Sequence, residues 1–273
     1  MSRWSRVISL DKKLRRRGLS EATVANYLKP ARGMFEFAVL QGYIPVSPFA
    51  LVPRGRLSSC NKTREHREWT TAEVLRFIAT RYELDKRPDA RAEYGLSVEM
   101  KVRTGARLGE LLGARYGDID FEHGIWHIRT QFTRDGKLVD YVKTKKSIRR
   151  VPLAPELVKK IAARKLRRGE GDGGFIHTNF AGGRPMPHTS FRKRGWHPAV
   201  KAAMLNDGPK VTPHDARHMF ASEMADMGLS SEDVGDVLGH TSKSITEAIY
   251  THAFNRDERE ERIRRAMREA MGG

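Results

Sequence analysis

Hydrophobic positions follow helical spacing through most of the chain, and the first 50 residues predict two helices. The first helix is basic, contains Leu14 and stops at Gly18. The second runs from 21 to about 41, with Ser20 as its N-cap. Pro30 lies inside this second helix and is expected to kink or split it. The apolar face of that helix comprises Val24, Tyr27, Leu28, Met34, Phe35 and Ala38.

Prolines and charged residues interrupt the helical pattern after residue 44. Pro45, Pro48 and Pro53 break regular structure, and residues 54–67 are polar, basic and poor in apolar side chains. This composition predicts a linker between two domains. We therefore expect a helical first domain over 1–53, a linker over 54–67, a second domain over 68–255 and a C-terminal helix within 256–273.

Helical periodicity resumes after the linker. Thr70 or Thr71 is expected to cap a helix there. The apolar residues inside this helix are Val74, Leu75 and Ile78. The other helices of the second domain and the tail are predicted at about 91–104, 107–113, 155–168, 188–204, 213–227, 230–238, 242–252 and 256–270.

One stretch in the middle of the chain favours β structure instead. Residues 124–133 are rich in β-branched and aromatic side chains, and Asp135-Gly136 is a hairpin turn signal. Residues 138–142 return as a second strand, and 148–153 make a third. The pattern predicts a mainly helical α+β fold with a small three-stranded antiparallel sheet.

The chain is strongly basic: it has 51 Lys and Arg against 33 Asp and Glu, a net charge of +18 and a pI near 10.3. Such a balance indicates a polyanionic partner, most simply nucleic acid, with membrane surfaces and acidic proteins as the alternatives. No run of 18 apolar residues occurs. The single cysteine, Cys60, allows no disulfide within the chain and favours a reducing, cytoplasmic compartment.

Neither a metal nor another cofactor is expected from the sequence. His123 and His127 have a ligand-like spacing, but they alternate along a predicted strand without a neighbouring Cys or carboxylate cluster, so we interpret them as structural. No closely spaced group of Asp and Glu suggests a two-metal site. No phosphate-binding glycine loop of the GxxxxGK[ST] type is present.

Residues 212–218 place several basic side chains at the start of a predicted helix. Thr212 is its expected N-cap, and His214, Arg217 and His218 follow at i, i+3 and i+4. Cationic groups oppose the helix dipole at that end, so this helix start is expected to hold an anion. The helix is expected to bury a stripe made of Ala216, Phe220, Met224 and Met227.

Three further features carry candidate chemistry. Gly239 ends the helix 230–238 and places His240 by a sharp turn, and Tyr250 follows ten residues later. Arg107 and Glu110 share one helical side, and Lys143 begins a hairpin turn. Taken singly, each has an ordinary explanation. Arg107 and Glu110 can form a surface ion pair, Lys143 can lie in a solvated loop, and Tyr250 can be a core residue. The helix start at 212–218 is likewise a weak motif by itself.

Together, and in this order, the features resemble the tyrosine recombinase (phage integrase) family. The chain carries TGARLGEL, KTKKSIRRVPL, HDARHMFAS, LGH and IYTH in the family's order. It departs at Ala216, where the family usually has Leu, which changes only a packing position. The resemblance covers about 68–255.

The resemblance implies an enzyme that cuts and rejoins DNA through a covalent 3′-phosphotyrosine, without metal or ATP. The catalytic residues it implies are Arg107, Lys143, His214, Arg217, His240 and the nucleophile Tyr250. It also implies supporting roles for Glu110 and His218. Because phenol ionises with a pKa near 10, a tyrosine is a nucleophile that also leaves readily.

The ends of the chain extend the resemblance. Residues 11–50 resemble the second half of the family's helical core-binding domain, so we expect a naturally short or truncated domain that clamps DNA with the second one. In the family, a tail such as 256–270 docks on a neighbouring subunit; packing on its own domain is the alternative.

The partners implied by the resemblance are double-stranded DNA, three further copies in a homotetramer on DNA, and directionality or bending factors. The remaining alternatives for the function are a type IB topoisomerase, a catalytically inactive DNA-binding protein of the same fold, and a basic helix-turn-helix regulator.

Overall fold

The computed structural model describes residues 3–53, 57–58, 67, 69–86, 94–140, 148–179 and 182–239. The chain divides into two compact units, residues 1–65 and 66–273, and each has a hydrophobic cluster of its own. The predicted helices at 242–252 and 256–270 and the turn at 143–147 lie outside the described residues.

The first unit contains two helices, α1 (Arg3–Arg16) and α2 (Glu21–Leu40). Ser20 caps α2 as predicted, and its Oγ accepts a hydrogen bond from the Thr23 N–H at 3.3 Å. Helix α2 continues through Pro30, so the predicted split does not occur. A proline removes one backbone donor, which a 20-residue helix with Val24 and Leu28 buried in the preceding turns tolerates.

The core of the first unit is small. Val7, Val24, Leu28 and Phe49 are buried and form one cluster. Tyr27 and Met34, predicted for the apolar face of α2, are more than half exposed instead. They lie seven residues apart on one side of the helix, whereas the buried pair Val24 and Leu28 lies on another.

The second unit begins with α3 (Thr71–Asp85), whose N-terminus has a capping box made by Thr70 and Glu73. Leu75, predicted inside, is exposed, and Phe77 is fully buried in its place. The reason is helical spacing, because Phe77 shares the face of Val74 and Leu75 does not. Two helices follow, α4 (Gly95–Thr104) and α5 (Leu108–Gly113), with a 3-10 turn at Tyr116–Asp118.

The described strands form two antiparallel sheets. The strands are β1 (Ile119–Asp120), β2 (Ile125–Ile128), β3 (Thr130–Phe132), β4 (Leu138–Asp140) and β5 (Arg149–Pro152). One sheet has three strands in the order β1-β2-β5, and the other is the β3-β4 pair. The predicted fold class, mainly helical with a small three-stranded sheet, is confirmed, but the membership of that sheet was predicted wrongly.

The predicted first strand splits because its two halves pack on different neighbours. In β2, Trp126 pairs with Val151 of β5, and both side chains are buried. After residue 129 the chain turns to α5, where Thr130 Oγ1 donates to Gly113 O at 3.1 Å. A Cβ at Gly113 would lie 3.0 Å from the backbone N of Phe132, so glycine permits this close approach.

The remaining elements are helical. They are α6 (Pro155–Arg168), α7 (His188–Ser190), a π-helical segment (Phe191–Trp196), α8 (His197–Ala202), α9 (Asp215–Asp226) and α10 (Ser231–Leu238). Phe220 and Ala221 of α9 pack with Val234 and Leu238 of α10 in a separate small cluster. Met227, predicted for the buried stripe of α9, lies past the helix end and is exposed. None of the helices described here is long and apolar enough to cross a membrane.

Candidate active site

The turn between α4 and α5 positions Arg107. Gly105 ends α4 in the left-handed region with φ of 58°, and Arg107 becomes the N-cap residue of α5. The Arg107 backbone N–H donates to Glu110 Oε2 at 2.7 Å, and its Nη1 donates to Oε1 at 2.9 Å. The predicted pairing of these residues is therefore present, with Glu110 fully buried and the Arg107 side chain 42% exposed.

The start of α9 positions Arg217. This side chain is buried, and its Nη1 donates to Gly105 O at 3.1 Å while its Nη2 donates to Leu238 O at 2.7 Å. One guanidinium thus joins the α4–α5 turn to the end of α10. Because Arg107 Nη2 donates to Gly239 O at 2.8 Å, the two arginines reach adjacent carbonyls and are neighbours.

Helix α9 begins later than predicted. Its first residue is Asp215 and its N-cap is His214, whereas Thr212 was the expected cap. The Asp215 carboxylate accepts hydrogen bonds from the Thr212 N–H at 2.5 Å and from its hydroxyl at 2.7 Å. These bonds, with Asp215 N–H donating to Thr212 O at 3.0 Å, close a turn before the helix starts.

His214 and His218 stand beside Arg217 on the first turn of α9. Their rings meet edge to face, with centroids 5.0 Å apart and an interplanar angle of 86°. The first turn therefore carries two imidazoles in contact and the Arg217 side chain on the same turn. This cluster is compatible with the predicted anion at the helix N-terminus.

Helix α10 ends as predicted and delivers the chain to His240. Ser230 caps its N-terminus, where its Oγ accepts from the Asp233 N–H at 3.1 Å. Gly239 ends it in the left-handed region with φ of 69°. The structure thus brings Arg107, Glu110 and Arg217 together at the end of α10. Lys143, His240 and Tyr250 lie outside the described residues.

Two residues of this site escaped the sequence analysis. Arg149 of β5 is buried and donates from Nη1 and Nη2 to Glu110 Oε1 and Oε2, at 3.0 and 2.6 Å. A signal for it existed, because strand alternation places Arg149 on the same buried side as Val151 and Leu153. An arginine at a core-facing strand position indicates a buried partner.

Lys101 of α4 is the second missed residue. It is almost completely buried, and burial lowers its pKa to about 7, with the positive charge of Arg217 acting in the same direction. The carboxylates of Glu110 and Asp215 raise this pKa and offset part of the effect. Helical periodicity gives no signal for it, because nearly every residue of α4 is buried, including Met100 and Val102 on either side of Lys101.

Comparison with known proteins agrees with the motif pattern. The model of the phage integrase family matches residues 69–256, so the chain belongs to the phage integrase family, and the predicted resemblance is confirmed. The chain is 25% identical over 253 residues to the transposase from transposon Tn916 of Enterococcus faecalis, covering 86% of this chain and 60% of that protein. It is 27% identical over 240 residues to the tyrosine recombinase XerC of Myxococcus xanthus, covering 83% and 70%.

The fold has solved counterparts. The Tn1549 transposon integrase in complex with transposon right end DNA superimposes with a TM-score of 0.79 at 20% identity, covering 96% of this chain and 84% of that one. This likeness concerns the fold alone. The chain spans about 60% of the length of the first curated relatives it matches.

Proposed function

We propose that the chain is a site-specific DNA recombinase that cleaves and rejoins DNA strands through a covalent 3′-phosphotyrosine on Tyr250. The single observation that carries the proposal is the meeting of Arg107 and Arg217, from separate helices, at the two carbonyls that precede His240. Family membership and the relatives named as transposase and tyrosine recombinase support the same reaction class.

The proposed roles of the two arginines follow from the charge of the transition state. Attack on a phosphodiester gathers negative charge on the non-bridging oxygens, which planar guanidinium groups stabilise through paired N–H donors. A guanidinium has five N–H donors, so Arg107 can hold Glu110 and Gly239 and still donate to phosphate. His240 would supply a further donor, Glu110 would orient Arg107, and His218 would support the first turn of α9.

The proton transfers complete the proposed reaction. The Tyr250 hydroxyl oxygen attacks phosphorus and forms the new P–O bond while the bond to the 5′-oxygen breaks. His214 takes the tyrosine proton, and Lys143 protonates the leaving 5′-oxygen. Rejoining reverses each transfer. The bond energy stays in the phosphotyrosine, so the proposed cycle uses neither ATP nor a metal.

The proposal extends to partners and domains. The net charge of +18 suits double-stranded DNA, which solved relatives of the same fold bind. We assign residues 1–53 to DNA clamping, 54–67 to a linker, 68–255 to catalysis and 256–273 to docking within a homotetramer on DNA, aided by bending or directionality factors in the cytoplasm.

Covalent trapping tests the proposal. The full chain is mixed with DNA that carries its site and a nick near the cleavage position, and denaturing gels are compared for wild type and Tyr250→Phe. A slow, protease-sensitive adduct with wild type alone is the expected result, because the nick frees the short fragment that carries the new 5′-hydroxyl, and without that hydroxyl the strand cannot rejoin.

Other outcomes separate the alternatives. An adduct without strand exchange between two sites would favour a type IB topoisomerase. No adduct on DNA that the protein demonstrably binds would favour the inactive DNA-binding protein. The Phe variant is the matched control, since it removes one hydroxyl and retains the ring.

A further inference from the structure

Three arginines hold three successive carbonyls at the C-terminal end of α10. Arg149 Nε donates to Val237 O at 2.7 Å, Arg217 Nη2 to Leu238 O at 2.7 Å, and Arg107 Nη2 to Gly239 O at 2.8 Å. Carbonyls at a helix C-terminus have no partner within the helix and carry partial negative charge, so cationic donors suit them. The next residue along the chain is His240.

Arg149 links this helix end to the pair Arg107 and Glu110. Its side chain is buried, and besides the bond to Val237 it donates two bonds to the Glu110 carboxylate. Glu110 in turn accepts the backbone N–H and the Nη1 of Arg107. Arg149 therefore reaches α10 directly and Arg107 through one shared carboxylate.

The steric contact with Gly239 is independent of these hydrogen bonds. A Cβ built on Gly239 would lie 2.9 Å from Arg149 Nη1 and 3.0 Å from its Cδ. The backbone of the turn thus rests directly on the Arg149 side chain. Both the polar bonds and the close approach define where the chain leaves α10.

We propose that Arg149 is a positioning residue of the active site: it fixes the direction in which the chain leaves α10 toward His240 and the orientation of the Arg107 guanidinium. The inference rests on the proposed function for its catalytic consequence. Arg149 itself is assigned no contact with DNA and no part in proton transfer.

The planar shape of the guanidinium explains why arginine is required. Its Nε binds Val237 O while both terminal nitrogens bind the two Glu110 oxygens, an arrangement that one lysine ammonium cannot reproduce. Arg149→Lys therefore keeps the charge and removes the geometry. The matched control is Arg150→Lys, since Arg150 is the next residue on β5 and its side chain is exposed.

The first measurement is the rate of adduct formation in single turnover, at saturating DNA. We expect Arg149→Lys to slow adduct formation about 100-fold, which is the loss associated with a misplacement of catalytic groups by about 1 Å. DNA affinity and the circular dichroism spectrum should stay unchanged. Arg150→Lys should match wild type. The Arg149→Lys effect should shrink when His240 or Arg107 is already alanine, because the removed role acts through those side chains. An undiminished effect in both backgrounds would overturn the inference.

The second measurement does not depend on cleavage. Amide hydrogen exchange of the free protein should rise at residues 237–240 in Arg149→Lys, while 231–234 keep their protection. Gly239→Ala, whose Cβ would press on the Arg149 side chain and separate it from the turn, should give the same pattern and serves if Arg149→Lys does not fold. If wild type forms no adduct, the proposed function fails. Amide exchange alone then tests whether Arg149 positions the turn at the end of α10. Unchanged exchange at 237–240 in the folded variant would refute the positioning role.

Discussion

Burial changes the protonation of Lys101 on α4. Its pKa in the folded chain is lowered to about 7, first by desolvation and then by Arg217, whereas the ordinary value is 10.5. Between these two values the unfolded chain binds a proton that the folded chain does not. Above pH 10.5 Lys101 is neutral in both states and does not lower the free energy of unfolding. As the pH falls from 10.5 toward 7, protonation of the unfolded chain therefore lowers that free energy.

Lys101→Met is expected to stabilise the protein at pH 7. Methionine fills a similar volume without a buried charge, and the gain should be on the order of a few kcal/mol. The gain should shrink as the pH approaches 10. Urea unfolding at pH 7 and pH 9.5, followed by circular dichroism, measures it. Lys159→Met is the control, since Lys159 is exposed and should shift little at either pH. Equal shifts for both variants would show that burial of Lys101 carries no cost.

The residues of the site were predictable where a motif and a helix end coincided. Arg107, Glu110 and Arg217 were found from their motifs, and the structure brings them together. Arg149 was missed because it follows a basic turn that suggests solvent, although its alternation with Val151 marks the buried side of β5, where its partner is Glu110. The burial of Lys101 was likewise hidden, because the charges that surround it come from α5 and α9, distant in sequence.

At the scale of elements, Gly105 connects the α4–α5 turn to the pair α9 and α10. It has φ of 58°, and a Cβ there would lie 2.7 Å from Leu238 Cδ2 and 2.8 Å from Phe220 Cδ1. Its carbonyl accepts a bond from Arg217. Both backbone conformation and packing therefore call for glycine at this position.

Gly105→Ala should destabilise the protein by about 2–4 kcal/mol, combining the left-handed backbone with overpacking. Gly136→Ala separates the two causes, because Gly136 has φ of 83° and no atom lies within 4 Å of its Cβ position. That control should lose only about 1–2 kcal/mol. Chemical unfolding of both variants decides the matter. Equal losses would mean that Leu238 and Phe220 move aside at no cost.

Helices were predicted better than the sheet, for a physical reason. Caps are local, so Ser20 marked its helix start correctly, and of the two predicted candidates Thr70 and Thr71 the first is the cap. Strand pairing is not local: nothing near residue 129 shows that β2 pairs with β5 while β3 pairs with β4. The late start of α9 has a local cause instead, since the Asp215 carboxylate accepts from both the Thr212 N–H and its hydroxyl and closes a turn before the helix.

At the scale of the whole molecule, the charge of +18 is carried by both units. In the first unit, α1 has no acidic residue in its first turn and ends in a basic turn, and Lys12, Lys13 and Arg16 on it are exposed. Exposed cations that meet phosphates displace condensed counterions. The salt dependence of DNA binding therefore reports how many phosphates the protein neutralises, and whether the first unit neutralises any.

Affinity for DNA should fall linearly with salt on logarithmic axes, by about three to five orders of magnitude between 50 and 200 mM if roughly 6–10 phosphates are neutralised. Replacing Lys12, Lys13 and Arg16 together by glutamine should reduce the slope by about 0.9 for each phosphate that is no longer neutralised. Fluorescence anisotropy with labelled duplex measures both slopes.

The control replaces Glu156 and Lys159, an ion pair at 2.9 Å on α6, by two glutamines. This change leaves the net charge unchanged and should leave the slope unchanged. If the triple variant kept the wild-type slope while the protein still bound DNA, the clamping role of the first unit would be wrong and the second unit would bind the phosphates alone.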